Sequence, residues 1–251
     1  MKQYKVAIIG NGMICNAAHI PAYKAMGDKV KIVAVADIRE EAAKETAERH
    51  GIPKYYVDPY KMLEEEKPDI ISVCTPNAYH KEYTLAGFRA GCHVVCEKPV
   101  AVTCADAEEM FNAAEKAGKH LFVIQSLRFT GNFKAAAGLA KSGCLGDIYY
   151  ADLNLVRRRG VPRWGMFHMA KENVGGAFCD LGVHMCDYLM SISGNPKMVS
   201  VSGSAVTRIV NKEKNIEFSN AESGAPTGLF TPRKFDMKEF DVAEFAHGYI
   251  R

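Results

Sequence analysis

Several features are missing from this sequence, and each absence closes off a class of function. No apolar run approaches the roughly 18 residues that a membrane-spanning helix requires, and the run Val6–Ile9 behind Lys2 and Lys5 is too short for a secretory signal. Neither a membrane partner nor export is therefore expected. Charge of one sign is scarce: the formal net charge is +3 over 251 residues, and no like-charge block exceeds Glu64–Glu66 or Arg157–Arg159, which read as solvated surface. A nucleic-acid partner is not expected on that balance. The eight cysteines, at positions 15, 74, 92, 96, 104, 144, 179 and 186, form no CxxC pair, and several sit in apolar runs. That pattern fits reduced thiols in a cytoplasm. Internal repeats and low-complexity tracts are absent too. What remains is 48% hydrophobic and 24% charged, a globular composition with apolar material for one large core or two smaller ones.

From residue 4 to about 126, short β-branched runs alternate with longer helical patterns, the rhythm of a parallel sheet wrapped by crossover helices. The pattern predicts strands at Lys5–Ile9, Lys31–Ala36, Tyr55–Val57, Asp69–Cys74, His93–Glu97 and His120–Gln125. Helices are expected near 13–26, 40–50, 59–66, 78–90 and 104–118, the last opened by Thr103 and Asp106 at capping-box spacing and ended by Gly118. After Gln125 the rhythm changes. A helix near 132–142 precedes β-rich stretches at Asp147–Val156, Val199–Val210 and from Val242, without crossovers between them. The polar span 211–241, with Gly224, Pro226, Gly228 and Pro232, reads as a long loop. The fold class expected is α/β: a doubly wound parallel sheet over residues 1–126, then an α+β domain over 127–251 with a mainly antiparallel, open sheet.

Chemistry concentrates at three places. Gly10-Asn11-Gly12-Met13-Ile14-Cys15 follows an apolar strand and opens a helix. In such a turn the first glycine permits the tight bend, the second lets backbone approach a pyrophosphate, and the third position needs a small side chain, here Cys15. Asp37 ends the second strand, where a carboxylate accepts hydrogen bonds from ribose hydroxyls and repels a 2′-phosphate. That favours NAD, while Arg39 keeps NADP open; the plain alternative for Asp37 is capping of the next helix. Thr75-Pro76-Asn77 with His80 at the end of the fourth strand, and Glu97-Lys98-Pro99 at the end of the fifth, fall where open α/β sheets place their ligands. Taken singly, each reads as a cap, a strand stop or a surface cation. In the third place, Asp180, His184 and Asp187 stand at helical spacing and share a face. A carboxylate beside an imidazole orients a general base. The plainer readings are a satisfied core histidine and, without a second ligand cluster, a less favoured metal site.

Together these motifs resemble the Gfo/Idh/MocA family, the glucose-fructose oxidoreductase and inositol dehydrogenase relatives. Residues 6–20 are similar to its dinucleotide turn, 74–99 to its TPN, H and EKP block, and 175–188 to its GG, D, G, H and D helix. The resemblance implies catalytic positions at Lys98, Asp180 and His184, and a cis bond between Lys98 and Pro99. It also implies a dinucleotide site that includes Gly10, Gly12, Met13, Ile14, Asp37, Arg39, Thr75, Asn77, His80, Glu97, Lys98 and Trp164. Trp164 resembles the aromatic segment that folds towards nicotinamide and substrate, with core packing as its other role. A sugar, polyol or glycoside substrate and a homo-oligomer are implied as well, and no metal is expected because a second ligand cluster is missing. Val242–Arg251 resembles a strand after which relatives continue, so the chain reads as shortened at its C-terminus, with an unpaired sheet edge expected.

The expected activity is hydride transfer between nicotinamide and a secondary alcohol, with His184 taking the hydroxyl proton, Asp180 holding the imidazole and Lys98 stabilising the oxygen. Two alternatives stay open: a redox-neutral glycosidase that oxidises a sugar transiently, and a dinucleotide-binding relative without catalysis.

Overall fold

The computed structural model describes residues 2–157, 165–208 and 228–251. Its first part is a six-stranded parallel sheet in the order β3-β2-β1-β4-β5-β6, formed by β1 (Tyr4–Ile9), β2 (Val30–Ala36), β3 (Lys54–Tyr56), β4 (Ile70–Val73), β5 (His93–Glu97) and β6 (Leu121–Ile124). β1 carries apolar residues on both faces because both are covered. Val6 and Ile8 join Cys15, Ile20, Tyr23, Val35 and Ala47 on one side; Ala7 and Ile9 join Ile71, Val73, Phe88, Val94 and Met110 on the other. The first cluster is closed by α1 (Ile20–Ala25) and α2 (Glu40–His50), the second by α3 (Pro59–Glu66), α4 (His80–Arg89) and α5 (Cys104–Ala117). The order in which strands are added therefore reverses between β1 and β4, which run parallel, and the carboxyl ends of these two strands open the crevice in which such sheets bind ligands.

Local signals place the helix ends. Thr103 Oγ1 accepts from Asp106 N at 3.1 Å, and Gly118 ends α5 in the left-handed region at φ 60°. The first crossover departs from a regular helix: residues Cys15–His19 form a π-helical turn before α1. This turn carries His19 into a buried network, with Nδ1 3.2 Å from Ser72 Oγ and Nε2 2.9 Å from Glu97 Oε1.

Beyond β6, α6 (Gly131–Lys141) packs on α8 (Val183–Ser193), where Phe133 and Tyr188 stack with ring centroids 4.4 Å apart. A short α7 (Ala170–Asn173) and a second π-helical turn (Phe178–Gly182) precede α8. β7 (Val201–Val206) and β8 (Phe245–Ile250) form an antiparallel pair in the register Val201–Ile250 to Val206–Phe245. The open antiparallel sheet expected from the sequence is thus present as two described strands, Val201–Val206 within the expected stretch Val199–Val210 and Phe245–Ile250 within the one beginning at Val242. The strand expected at 147–156 is not formed. Its alternating pattern offers two faces, but a strand needs a ladder partner, and Tyr149 and Val156 are left 97% and 78% exposed. The expected loop over 211–241 is described only from 228 onward, where it contains a 3-10 turn at Met237–Glu239. Arg158, Arg159 and the end of the Val199–Val210 stretch lie outside the described residues.

Gly176 joins this second part together. It has φ 55°, Ala177 N donates to Ala243 O at 2.9 Å, and a Cβ on Gly176 would lie 2.2 Å from that same carbonyl oxygen. Gly176→Ala is expected to destabilise the protein by about 2–5 kcal/mol, from left-handed strain plus overpacking against backbone. Chemical denaturation of the two proteins side by side checks this; an unchanged midpoint contradicts it.

Candidate active site

The glycine turn lies at the carboxyl end of β1. Gly10 N donates to Ala36 O at 2.8 Å, and Gly10 has φ 92° with the Cys74 and Thr75 backbone against its Cα. Nothing lies within 4 Å of where a Gly12 Cβ would stand, so this face of the turn is open. Asp37 folds back on the same turn: Oδ2 accepts from Asn11 N at 2.8 Å and Oδ1 from Arg39 N at 2.9 Å. Asp37 therefore braces the turn and is not the cap of α2, whose N-cap is Arg39. Arg39 Nε is 3.7 Å from Asp37 Oδ1, and its Nη1 donates to Thr231 O at 3.3 Å. Met13 packs beside Phe230, Phe167 and Leu229, whereas Ile14 packs into the core beneath the turn.

On the opposite lip, Thr75 Oγ1 is buried without a hydrogen-bond partner among the described residues. An open glycine face, an orphaned hydroxyl and a carboxylate at the end of β2 fit the pyrophosphate and ribose of a dinucleotide. Other expected members of this rim are engaged elsewhere. His80 is fully buried, its ring held between Pro99 O at 2.7 Å and Thr75 O at 2.9 Å, so it ties the two rim loops to each other. Asn77 Nδ2 donates to Asn173 O and Asn173 Oδ1, each at 2.7 Å, and so joins the end of β4 to α7. Glu97 is occupied by His19 on one oxygen and receives Lys98 N at 3.2 Å on the other. Trp164 lies outside the described residues.

Lys98 follows β5, and its peptide with Pro99 is cis. Its ammonium donates to Asp180 Oδ1 at 2.9 Å and to Asp180 O at 2.8 Å, with both side chains largely buried. The sequence reading therefore needs a correction: the carboxylate expected to hold the imidazole is engaged by the lysine. His184 instead meets Gln125, with Nδ1 3.0 Å from Gln125 Oε1. Asp187, on the same helical face, pairs bidentately with Arg128, at 2.7 and 2.5 Å. These partners were not legible, because each comes from a segment far away in sequence.

Burial pushes the His184 imidazole below the ordinary histidine range, and the Lys98 ammonium pushes in the same direction, against the carboxylates of Asp180, Glu97 and Asp187. An imidazole held towards its neutral form thus stands within the influence of the Lys98–Asp180 ion pair, which lies just beyond the carboxyl end of β5. Gln125 and Asn173 belong to this neighbourhood and were not singled out from sequence. The position of Gln125 at the carboxyl end of a strand was the available signal.

Residues 4–125 match the model described as an oxidoreductase family with an NAD-binding Rossmann fold, and residues 133–225 match the Gfo/Idh/MocA C-terminal domain. The chain belongs to the Gfo/Idh/MocA family. It is 36% identical to D-glucoside 3-dehydrogenase of Escherichia coli over 98% of this chain and 68% of that protein. It is 30% identical to myo-inositol 2-dehydrogenase of Thermotoga maritima over 76% of this chain and 55% of that protein. Among solved structures, the WlbA dehydrogenase of Chromobacterium violaceum, in complex with NADH and UDP-GlcNAcA, superposes with a TM-score of 0.74 at 28% identity, covering 82% of this chain and 59% of that one. The chain thus spans about two thirds of the first relative and little more than half of the second. Membership fixes the cofactor class of this Gfo/Idh/MocA protein as a nicotinamide dinucleotide, in line with the open turn at Gly12. No described helix is long and apolar enough to cross a membrane.

Proposed function

We propose that this Gfo/Idh/MocA protein oxidises or reduces a secondary alcohol of a sugar, polyol or glycoside, with Lys98, Asp180 and His184 as the groups that contact the reacting oxygen or hold those that do. The observation that carries this reading is the buried Lys98–Asp180 pair, 2.9 Å long, with His184 close enough to feel both charges. When bound, the dinucleotide supplies the hydride acceptor or donor. Gly10, Gly12 and Thr75 would hold its pyrophosphate side and Asp37 its adenosine ribose. In the oxidation direction His184 accepts the hydroxyl proton. Lys98 donates a hydrogen bond to the same oxygen and stabilises the negative charge that grows there. Asp180 fixes the ammonium through two acceptors and keeps it from swinging into solvent.

The names of the glucoside and inositol dehydrogenases support testing glucosides and inositols first. Single-turnover formation of reduced nicotinamide with such a panel is expected to slow about 10²- to 10⁴-fold in His184→Ala, the range for a lost general base. A base must be neutral to accept a proton, and the His184 imidazole is held below its ordinary value. Activity should therefore fall only as pH drops beneath the usual histidine range. Full activity in His184→Ala, or an acid limb above neutrality, contradicts the assignment.

Asp37 is the reason to expect NAD over NADP. Replacing Asp37 with Ala, while Arg39 stays, should narrow the preference for NAD by about tenfold or more, the scale of one lost charge-assisted contact. Titration of both dinucleotides against both proteins checks this. The same reading divides the chain near residue 126, a boundary supported by family matches that fall on either side of it. Free thiols at all eight cysteines support a reducing compartment such as the cytoplasm. The β7–β8 pair, with Val201 and Tyr249 exposed, supports assembly into a homo-oligomer.

A further inference from the structure

The segment that leaves β6 is laced to one face of α8. Gln125 meets His184, Arg128 meets Asp187, and Tyr188 O–H donates to Leu127 O at 3.4 Å and lies 3.2 Å from Thr130 Oγ1. Asp187 and Tyr188 stand three and four residues after His184, one helical turn on, so these contacts fasten residues 125–130 along one face of the helix. Gln125 is held from both sides: β6 is hydrogen-bonded in the sheet behind it, and the bidentate Arg128–Asp187 pair anchors the turn after it.

This rigidity has a chemical consequence at the imidazole. The Gln125 side-chain oxygen 3.0 Å from His184 Nδ1 is an acceptor only, so the ring nitrogen facing it must be the one that carries hydrogen. A neutral imidazole has a single N–H. With that hydrogen on Nδ1, the lone pair is on Nε2. The amide is also uncharged and gives the imidazolium far less support than a carboxylate in the same place. The charged groups around the ring are Lys98 and Glu97 at the end of β5, Asp180 on the π-helical turn, and Asp187 on α8, the last paired with Arg128.

We propose that Gln125 is a positioning residue for His184: its side-chain carbonyl holds the ring as the Nδ1–H tautomer and leaves Nε2 free to accept the substrate proton. The proposal rests on the reading of His184 as the general base. It assigns to an amide at the end of β6 the orienting task that the sequence pattern gave to Asp180.

Two substitutions and one spectrum test it. Gln125→Leu keeps the bulk and removes the acceptor; it should lower kcat about 10- to 100-fold with little change in KM, because the wrong tautomer becomes accessible. Gln125→Glu keeps an acceptor and adds charge. It should preserve the rate on the alkaline plateau but raise the apparent pKa of the acid limb by about one unit, a tenfold loss at a fixed pH below it. A merely structural role for Gln125 predicts no such shift and no alkaline rescue by glutamate. Independently of substrate, nitrogen-detected NMR of histidine-labelled protein, with His184→Gln to assign the signal, should show the Nδ1–H tautomer in the parent and a raised pKa in Gln125→Glu. An Nε2–H tautomer, or a His184 pKa unmoved by the glutamate, overturns the proposal. The expected spectra together with full activity in His184→Ala would leave the contact standing and overturn its catalytic meaning, which identifies the general-base reading as the part that failed.

Discussion

Lys98→Met is expected to cut the rate of hydride transfer about 10²- to 10³-fold, the usual cost of losing one donor to a developing oxyanion. The same substitution strands Asp180, whose side chain is only 14% exposed and whose cationic partner would be gone. An unpaired, largely buried carboxylate costs stability by several kcal/mol, so a slow enzyme alone would not separate catalysis from folding. The double variant Lys98→Met, Asp180→Asn does separate them. It removes the stranded charge, so its denaturation midpoint should return towards that of the parent, while single-turnover rates with a reactive glucoside or inositol remain low. If the double variant regains its rate together with its stability, Lys98 is a structural cation and the proposed chemistry loses its electrophile.

Much of this site was readable because it is built at the ends of strands. Each strand of the first sheet announces itself by apolar content and a turn signal, and all six begin and end within a residue of the expected bounds. With the strands placed, position alone puts Gly10, Asp37, Thr75 and Lys98 on one rim, since a parallel sheet sends all its carboxyl ends the same way. Helical spacing predicts one face for Asp180 and His184, which the structure places on the π-helical turn and on α8. What spacing cannot reveal is the partner. Asp180 is claimed by a lysine 82 positions away and His184 by a glutamine 59 positions away. Nothing in the local pattern around residue 180 distinguishes those pairings from a direct carboxylate–imidazole contact.

The misread stretch at 147–156 has a related cause. Alternation of apolar and polar residues fixes which face a strand would present, but a strand is stable only with a neighbour for its N–H and C=O groups. In the described structure only β7 and β8 pair in the second sheet. His80 and Glu97, expected at the ligand-binding rim, are engaged in this structure by the rim itself. His80 bridges two backbone carbonyls, and Glu97 closes a buried chain through His19 and Ser72 to Tyr23, whose O–H is 2.7 Å from Ser72 Oγ. Proximity to a site and contact with its ligand are separate properties, and sequence motifs report mainly the first.

The glycine turn yields the sharpest contrast between the two demands, because its glycines are required for different reasons. At Gly10 an added Cβ would sit 2.6 Å from Cys74 O, 2.7 Å from Cys74 C and 2.8 Å from Thr75 N, all backbone atoms of the neighbouring strand end, and φ is 92°. These atoms cannot rotate away, so Gly10→Ala must spread β1 from β4; a loss of about 2–6 kcal/mol is expected from backbone strain and overpacking together. The crevice between those strands is where the dinucleotide is proposed to bind, so NAD affinity should fall with it, by about 100-fold or more on that energy scale. At Gly12 nothing lies within 4 Å of the added carbon, so Gly12→Ala should leave the dinucleotide-free protein as stable as its parent. The methyl group would instead occupy the open face that a pyrophosphate approaches, and NAD binding should weaken about tenfold or more with no change in the denaturation midpoint. Calorimetric titration and denaturation of both variants read the two effects apart. Undiminished NAD affinity in Gly12→Ala would mean that the cofactor does not approach this turn, and the redox reading of the rim could not stand.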